Sequence, residues 1–249
     1  MRSKVKVIVG SLVILLLAGV LVSAQQKSRF YNNALLSLEY YTSALDKVIP
    51  ALQPLNNAVV QLKASIEAGE AVDESLLLLA VVYQEQGKLD AAKNTYYQYL
   101  QRNSEDGWIY VLIGDIDYFR QDYQQAMEHY QKALTYGEYA SAYYGIACIK
   151  NQQGLTEAAV DELVKAVELA PSFVEARIAL GKGYYETQQY DLALEQFEIC
   201  YLYAPRDAEV HYYLWLLYKQ NGDMEKAVHS RDLAIQYNPA YAQIIADTQ

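Results

Sequence analysis

Pro171, Pro205 and Pro239 stand 34 residues apart, and each closes a stretch of aliphatic, alanine and tyrosine residues. A period of that length defines a unit too small to bury its own apolar face, so each copy must stack on its neighbours. The chain therefore reads as an array of repeated units, and what an array offers is surface. A hydrophobic content of 53% over 249 residues is enough to fill the spaces between units.

Within residues 174–207 the pattern runs Arg177, Leu180, Gly181 and Tyr184, then Ala193 and Phe197, then Cys200 and Pro205. Gly181 and Ala193 are small where two antiparallel helices must approach, while Leu180, Tyr184 and Phe197 fill the space around them. Gln188-Gln189-Tyr190-Asp191 marks the turn, and Pro205, lacking an amide hydrogen, ends the second helix. This pattern closely resembles the tetratricopeptide repeat. The resemblance implies an all-α fold, a right-handed α-solenoid of stacked helix-turn-helix units.

The unit recurs in both directions. Residues 208–241 carry His211, Leu214, Tyr218, Ala227, Ala234 and Pro239, with Asn221-Gly222-Asp223 at the turn. Trp215 there replaces the small residue and Arg231 the aromatic, as fits a terminal unit with one uncovered face. Residues 140–173 give Tyr143, Ile146-Ala147, Ala159, Leu163, Ala166 and Pro171, turning at Gln153-Gly154. Residues 107–139 give Tyr110, Ile113-Gly114, Ala126, Tyr130 and Ala133, one residue short and without the proline. Residues 73–106 give Leu76, Leu79-Ala80, Tyr83, Ala92, Tyr96 and Tyr99, turning at Gln86-Gly87-Lys88. Five repeats thus span 73–241. Residues 28–72 read as a degenerate hairpin, with one helix from about Ser28 to Ile49 and another from about Leu55 to Ala68. Residues 242–249 supply a short capping turn.

Residues 1–27 carry a different signal. Arg2, Lys4 and Lys6 precede eighteen uncharged residues, Val7 to Ala24. A helix of that length reaches about 27 Å, just enough to cross a hydrocarbon core of about 30 Å. It reads as a signal anchor or, with small residues at Val22-Ser23-Ala24, as a signal peptide cleaved after Ala24. The basic N-terminal flank keeps that end in the cytoplasm and places the repeats outside it, periplasmic or extracellular.

The net charge is −10 and the pI near 4.8, with no basic patch, which argues against nucleic acid as a partner. His129, His211 and His229 lack metal-ligand spacing, Cys148 and Cys200 sit in different repeats, and no nucleophile or phosphate-loop motif is present. Neither an enzyme nor a cofactor is expected. Of the 25 tyrosines, Tyr83, Tyr96, Tyr130, Tyr184 and Tyr218 occupy the family's packing positions, and Tyr136, Tyr203 and Tyr237, before the inter-repeat links, read as structural too.

The resemblance further implies that the first helix of each unit lines a concave groove. It places there Trp108, Val111, Asp115, Tyr118 and Phe119, then Tyr144, then Ile178, Lys182 and Tyr185, then Tyr212 and Leu216. Aromatic anchors with a few polar groups suit protein or peptide recognition. The basic arrangement with which some members hold an acidic carboxyl terminus is absent, since Leu77, Val81, Val111, Asp115, Tyr144 and Cys148 fill that region and Lys182 is its one cation. The expected function is a scaffold that binds protein or peptide segments outside the cytoplasm. The alternative is self-association as a structural or assembly component of an envelope complex, with Trp215 and Arg231 at its contact.

Overall fold

The computed structural model of the chain describes residues 52–247. The expected membrane segment and the helix expected over Ser28–Ile49 lie outside the described residues. Among the described residues every regular element is helical. The helices fall into two compact units, divided between Ile109 and Tyr110.

The first unit contains α1 (Leu52–Glu67), α2 (Val72–Glu85) and α3 (Leu89–Leu100), and α4 (Gly107–Phe119) starts at its end. Pro54 lies in the first turn of α1, where its missing amide hydrogen would have had no intrahelical acceptor, so the helix starts before this proline and not after it. Leu55, Ala58 and Leu62 of α1 are buried, as are Leu76, Leu79, Ala80 and Tyr83 of α2 and Ala92 and Tyr96 of α3. The buried Tyr96 directs its hydroxyl 2.6 Å to Gln84 Oε1, which keeps the phenol satisfied inside the hairpin. Ser75 Oγ donates to Ser65 Oγ at 3.1 Å, and Ser65 Oγ donates to the Glu70 carbonyl at 2.6 Å, tying α2 to the end of α1.

The second unit holds the rest of α4 and then α5 (Tyr123–Leu134), α6 (Ala140–Gln152), α7 (Thr156–Leu169), α8 (Val174–Glu186), α9 (Tyr190–Tyr203), α10 (Ala208–Gln220), α11 (Met224–Tyr237) and α12 (Tyr241–Asp247). Helices α6 with α7, α8 with α9 and α10 with α11 form hairpins, and α7 on α8 and α9 on α10 join one hairpin to the next.

Each repeat turns between its helices in the same way. A single residue takes a left-handed backbone, with φ of 72° at Gly87, 66° at Gln121, 76° at Gly154, 62° at Gln188 and 78° at Gly222. The amide after each of these returns to the carbonyl five residues earlier: Lys88 to Tyr83, Asp122 to Asp117, Leu155 to Lys150, Gln189 to Tyr184 and Asp223 to Tyr218, all at 2.8–3.0 Å. This closure satisfies carbonyls that a helix end would otherwise leave unpaired. Glutamine at two of the five positions accepts a conformation that a side chain makes costly.

A second periodic device sits where one repeat passes to the next. Arg177, 7% exposed, donates at 2.7 Å to the Pro171 carbonyl and at 2.7 Å to Gln196 Oε1. In the following repeat His211 Nε2 lies 2.9 Å from the Pro205 carbonyl. A donor six residues after the closing proline thus holds the proline's own carbonyl in both units.

Volume is exchanged between two facing positions along the array. Gly114 faces Tyr130 and Gly181 faces Phe197, while Ala147 belongs to the same cluster as Leu163. In the last repeat the order is reversed. Trp215 is 4% exposed and packs with Ala227, Ala234 and Ile245, and Arg231 bonds instead to Asp232 at 2.8–2.9 Å. The end face is therefore not open at Trp215, because residues 241–247 form a helix, not merely a turn, and Ile245 covers the indole. A self-association contact through Trp215 is corrected on that ground. Tyr203 also departs from expectation, being 54% exposed where a packed role was foreseen.

Candidate functional site

Two groups of side chains stand out on the first helices of the second unit. The first is built around Tyr130. Its ring lies between α4 and α6 because both helices present glycine to it: a Cβ on Gly114 would stand 2.7 Å from the ring, and one on Gly145 would stand 2.4 Å from it. Passing between them, the Tyr130 hydroxyl donates to Asp115 Oδ1 at 2.7 Å. The Asp115 side chain is exposed. The protein packed beside its carboxyl nevertheless raises it to about 6 against the opposing effect of the Tyr130 bond.

Tyr118 on α4 and Tyr144 and Cys148 on α6 complete this group. Burial pushes the Cys148 thiol up, outweighing the opposing influence of the nearby Tyr144 and Tyr118 hydroxyls. Burial also raises the Tyr118 phenol to about 12, so all three stay protonated near neutrality. Each ring packs against another: Tyr118 lies 5.5 Å from Tyr123 and Tyr144 lies 5.1 Å from Phe173, both tilted.

The second group runs across α8, α10 and α12. Tyr185 meets Tyr190 at 5.5 Å and Tyr213 at 5.6 Å, Tyr213 meets Tyr212 at 5.4 Å, and Tyr212 meets Tyr241 at 5.1 Å. Tyr213 is also stacked flat on Phe197 at 4.8 Å, which anchors the row to the core. Lys182 lies beside it with its ammonium 2.9 Å from Glu209 Oε1 and 5.8 Å from the Tyr213 ring centroid.

The residues singled out in the sequence thus separate. Asp115, Tyr118 and Tyr144 belong to the first group, and Lys182, Tyr185 and Tyr212 to the second. Ile178 is half-buried against the cluster around Phe197, and Leu216 against Trp215. Phe119 is 57% exposed, and Trp108, 36% exposed, lies in the first unit. Val111 is a correction. It is fully buried with Ala126, Tyr130 and Ile146 and has no surface to offer a ligand. The reasoning from sequence missed Tyr130, Phe173, Tyr213 and Glu209 as parts of these groups. The paired glycines at 114 and 145 were the available signal for Tyr130, while nothing local links Glu209 to Lys182. Among the described residues no group of histidine, cysteine and carboxylate side chains could hold a metal ion. His129 instead sits 2.9 Å from the buried Asp117, and Cys148 and Cys200 are free thiols.

Comparison with known proteins agrees with this architecture. The family model for the tetratricopeptide repeat protein 21 C-terminal ARM domain matches residues 16–146, and two tetratricopeptide repeat models match residues 140–173 and 178–240. Anaphase-promoting complex subunit 3 of Dictyostelium discoideum is 26% identical over 117 residues, which cover 46% of this chain but only 12% of that protein. Among solved structures, YrrB, described as a tetratricopeptide protein with an unusual peptide-binding site, is 23% identical with a TM-score of 0.59, over 75% of this chain and 97% of its own. PilF of Pseudomonas aeruginosa is 16% identical with a TM-score of 0.70, over 88% and 100%. The Cut9 and Hcn1 assembly of the anaphase-promoting complex is 14% identical with a TM-score of 0.65, over 92% and 44%. These likenesses share the all-helical solenoid fold, and with the matched models spanning more than half of the sequence the chain belongs to the tetratricopeptide-repeat family.

Proposed function

We propose that this protein is a scaffold that binds an extended protein or peptide segment along the first-helix face of its repeats. The observation that carries this reading is the interlocked set of half-buried tyrosines on that face, running from Tyr185 through Tyr213 and Tyr212 to Tyr241, with Tyr144 held separately by Phe173. Rings already fixed by one another lose little freedom when a segment covers them, which is how aromatic surfaces gain affinity. The peptide-binding site described for YrrB and the multi-subunit setting of the anaphase-promoting complex relatives lend support by analogy of fold.

We place the repeats outside the cytoplasm, held by residues 7–24 or released by cleavage after Ala24. The uncharged eighteen-residue run behind Arg2, Lys4 and Lys6 supports this. Among the described residues no helix is long and apolar enough to cross a membrane. Extraction of cell membranes at alkaline pH, combined with protease added to cells stripped of their outer envelope, tests both points. A full-length chain that leaves the membrane fraction, or repeats that stay protected from the protease, counts against them.

A second reading, self-assembly, draws on the exposed Leu192, Leu202, Met224 and Val228 of α9 and α11, of which Leu202 is 75% exposed. The decisive experiment is in-cell crosslinking followed by mass spectrometry, repeated with Trp108→Ala and Tyr118→Ala together and with Tyr185→Ala. Partner capture should be lost while helicity persists. Capture that survives all three substitutions removes the groove reading, and crosslinks confined to the chain itself favour self-assembly.

A further inference from the structure

Resting on the proposed peptide-binding role of the first-helix face, we infer that the position over Asp115 receives the guanidinium of an arginine in the bound segment. Asp115 is the acidic member of a group otherwise made of phenols, a thiol and a phenylalanine ring. Its Oδ1 accepts from Tyr130, and no cation among the described residues pairs with it. The one cation among the singled-out residues, Lys182, is already matched by Glu209 at 2.9 Å. One part of the face is thus electrically closed and the other carries an uncompensated negative charge.

The physical consequence is selective. An apolar side chain laid over the exposed Asp115 carboxylate would strip its water without returning a charge, which disfavours such a segment. A cation there meets an exposed carboxylate whose one hydrogen-bond partner, the Tyr130 hydroxyl, leaves Oδ2 to receive it, and whose carboxyl the adjoining protein raises to about 6. Arginine fits the neighbours better than lysine, because a planar guanidinium donates to a carboxylate in a fork and stacks on aromatic faces. Two half-buried rings belong to the same group, Tyr118 and Tyr144, and each packs against a further ring, Tyr123 and Phe173 respectively. A net charge of −10 further favours approach of a basic segment.

The test uses the full chain in detergent and immobilised nonapeptides of glycine, alanine and tyrosine that differ only at the central residue: arginine, citrulline, lysine or leucine. Citrulline keeps the shape and removes the charge. The arginine peptide should bind at least about tenfold tighter than the citrulline one, and Asp115→Asn should bring that ratio close to one. Asparagine still accepts the Tyr130 hydrogen bond, and a melting temperature no lower than native shows the fold intact. Equal binding of arginine and citrulline peptides, or a ratio that persists in Asp115→Asn, overturns the inference. If the leucine peptide binds native protein as tightly as the arginine peptide, the groove reading stands and this assignment falls. If none binds at millimolar concentration, both fall.

Discussion

Gly145→Ala should destabilise this protein even though it replaces glycine by the best helix former in the middle of a helix. Helix propensity alone favours the change by about 1 kcal/mol. Against that, the new Cβ would stand 2.4 Å from Tyr130 Cζ and 2.5 Å from Cε2. The ring cannot retreat, because Gly114 closes the other side and the hydroxyl is tied to Asp115 at 2.7 Å. Overpacking of this kind costs about 1–3 kcal/mol, and a ring pinned on both faces belongs at the upper end, which leaves a net loss of about 2 kcal/mol. For a chain of this size that is a fall of about 4–8 °C in melting temperature. Thermal melts followed by circular dichroism on native and variant chains measure it. Tyr130→Leu supplies the control, since the repeat with Leu163 carries alanine in the surrounding positions, at Ala147 and Ala179. In the Tyr130→Leu background, adding Gly145→Ala should be neutral or stabilising. A single Gly145→Ala variant that melts at or above the native temperature refutes the wedge.

Gln188→Gly should raise stability by about 1 kcal/mol, since φ of 62° strains any side chain and the equivalent Gly87, Gly154 and Gly222 avoid that strain; denaturant titration showing a loss would contradict it. Trp215→Ala should cost about 3–5 kcal/mol and release α12, seen as faster amide exchange over residues 241–247; protection equal to native there would count against the capping role. Asp115 makes stability depend on pH. Its folded carboxyl is raised to about 6 from 3.8, so between those values the folded chain holds a proton that the unfolded chain has released. That contribution is greatest below about pH 4 and declines as pH rises to about 6. Subtracting the melting curve of Asp115→Asn from that of native protein should leave this decline, and a flat difference would exclude it.

The repeat was readable because its physics is local. Pro171, Pro205 and Pro239, the small residues at 114, 147 and 181 and the turn residues each act on neighbours within one unit, so period and residue type were enough. The site was readable only in part, because it depends on contacts between successive repeats of the second unit. Asp115, Tyr118 and Tyr144 could be named from their positions, but Tyr130 was assigned to packing alone, since nothing local shows how far a hydroxyl extends beyond its ring. Val111 was misplaced for a related reason: α4 is apolar nearly all round, with Leu112, Ile113 and Ile116 buried beside it, so periodicity could not choose its outward face. Lys182 and Glu209, in successive repeats, share no spacing that would have announced their pairing.

The reversal of large and small residues at Trp215 and Arg231 bears on how such a chain can change its length. An interior repeat, with glycine opposite an aromatic ring, leaves a surface that another repeat can follow. The last repeat consumes that surface with its own indole and seals it with Ile245. A gene duplication that copied residues 174–207 in place could extend the array by one unit, whereas one that copied 208–241 would set a stop signal in the interior. A unit carrying Trp215 where residues 174–207 carry Gly181 is therefore not interchangeable with its neighbours in the array.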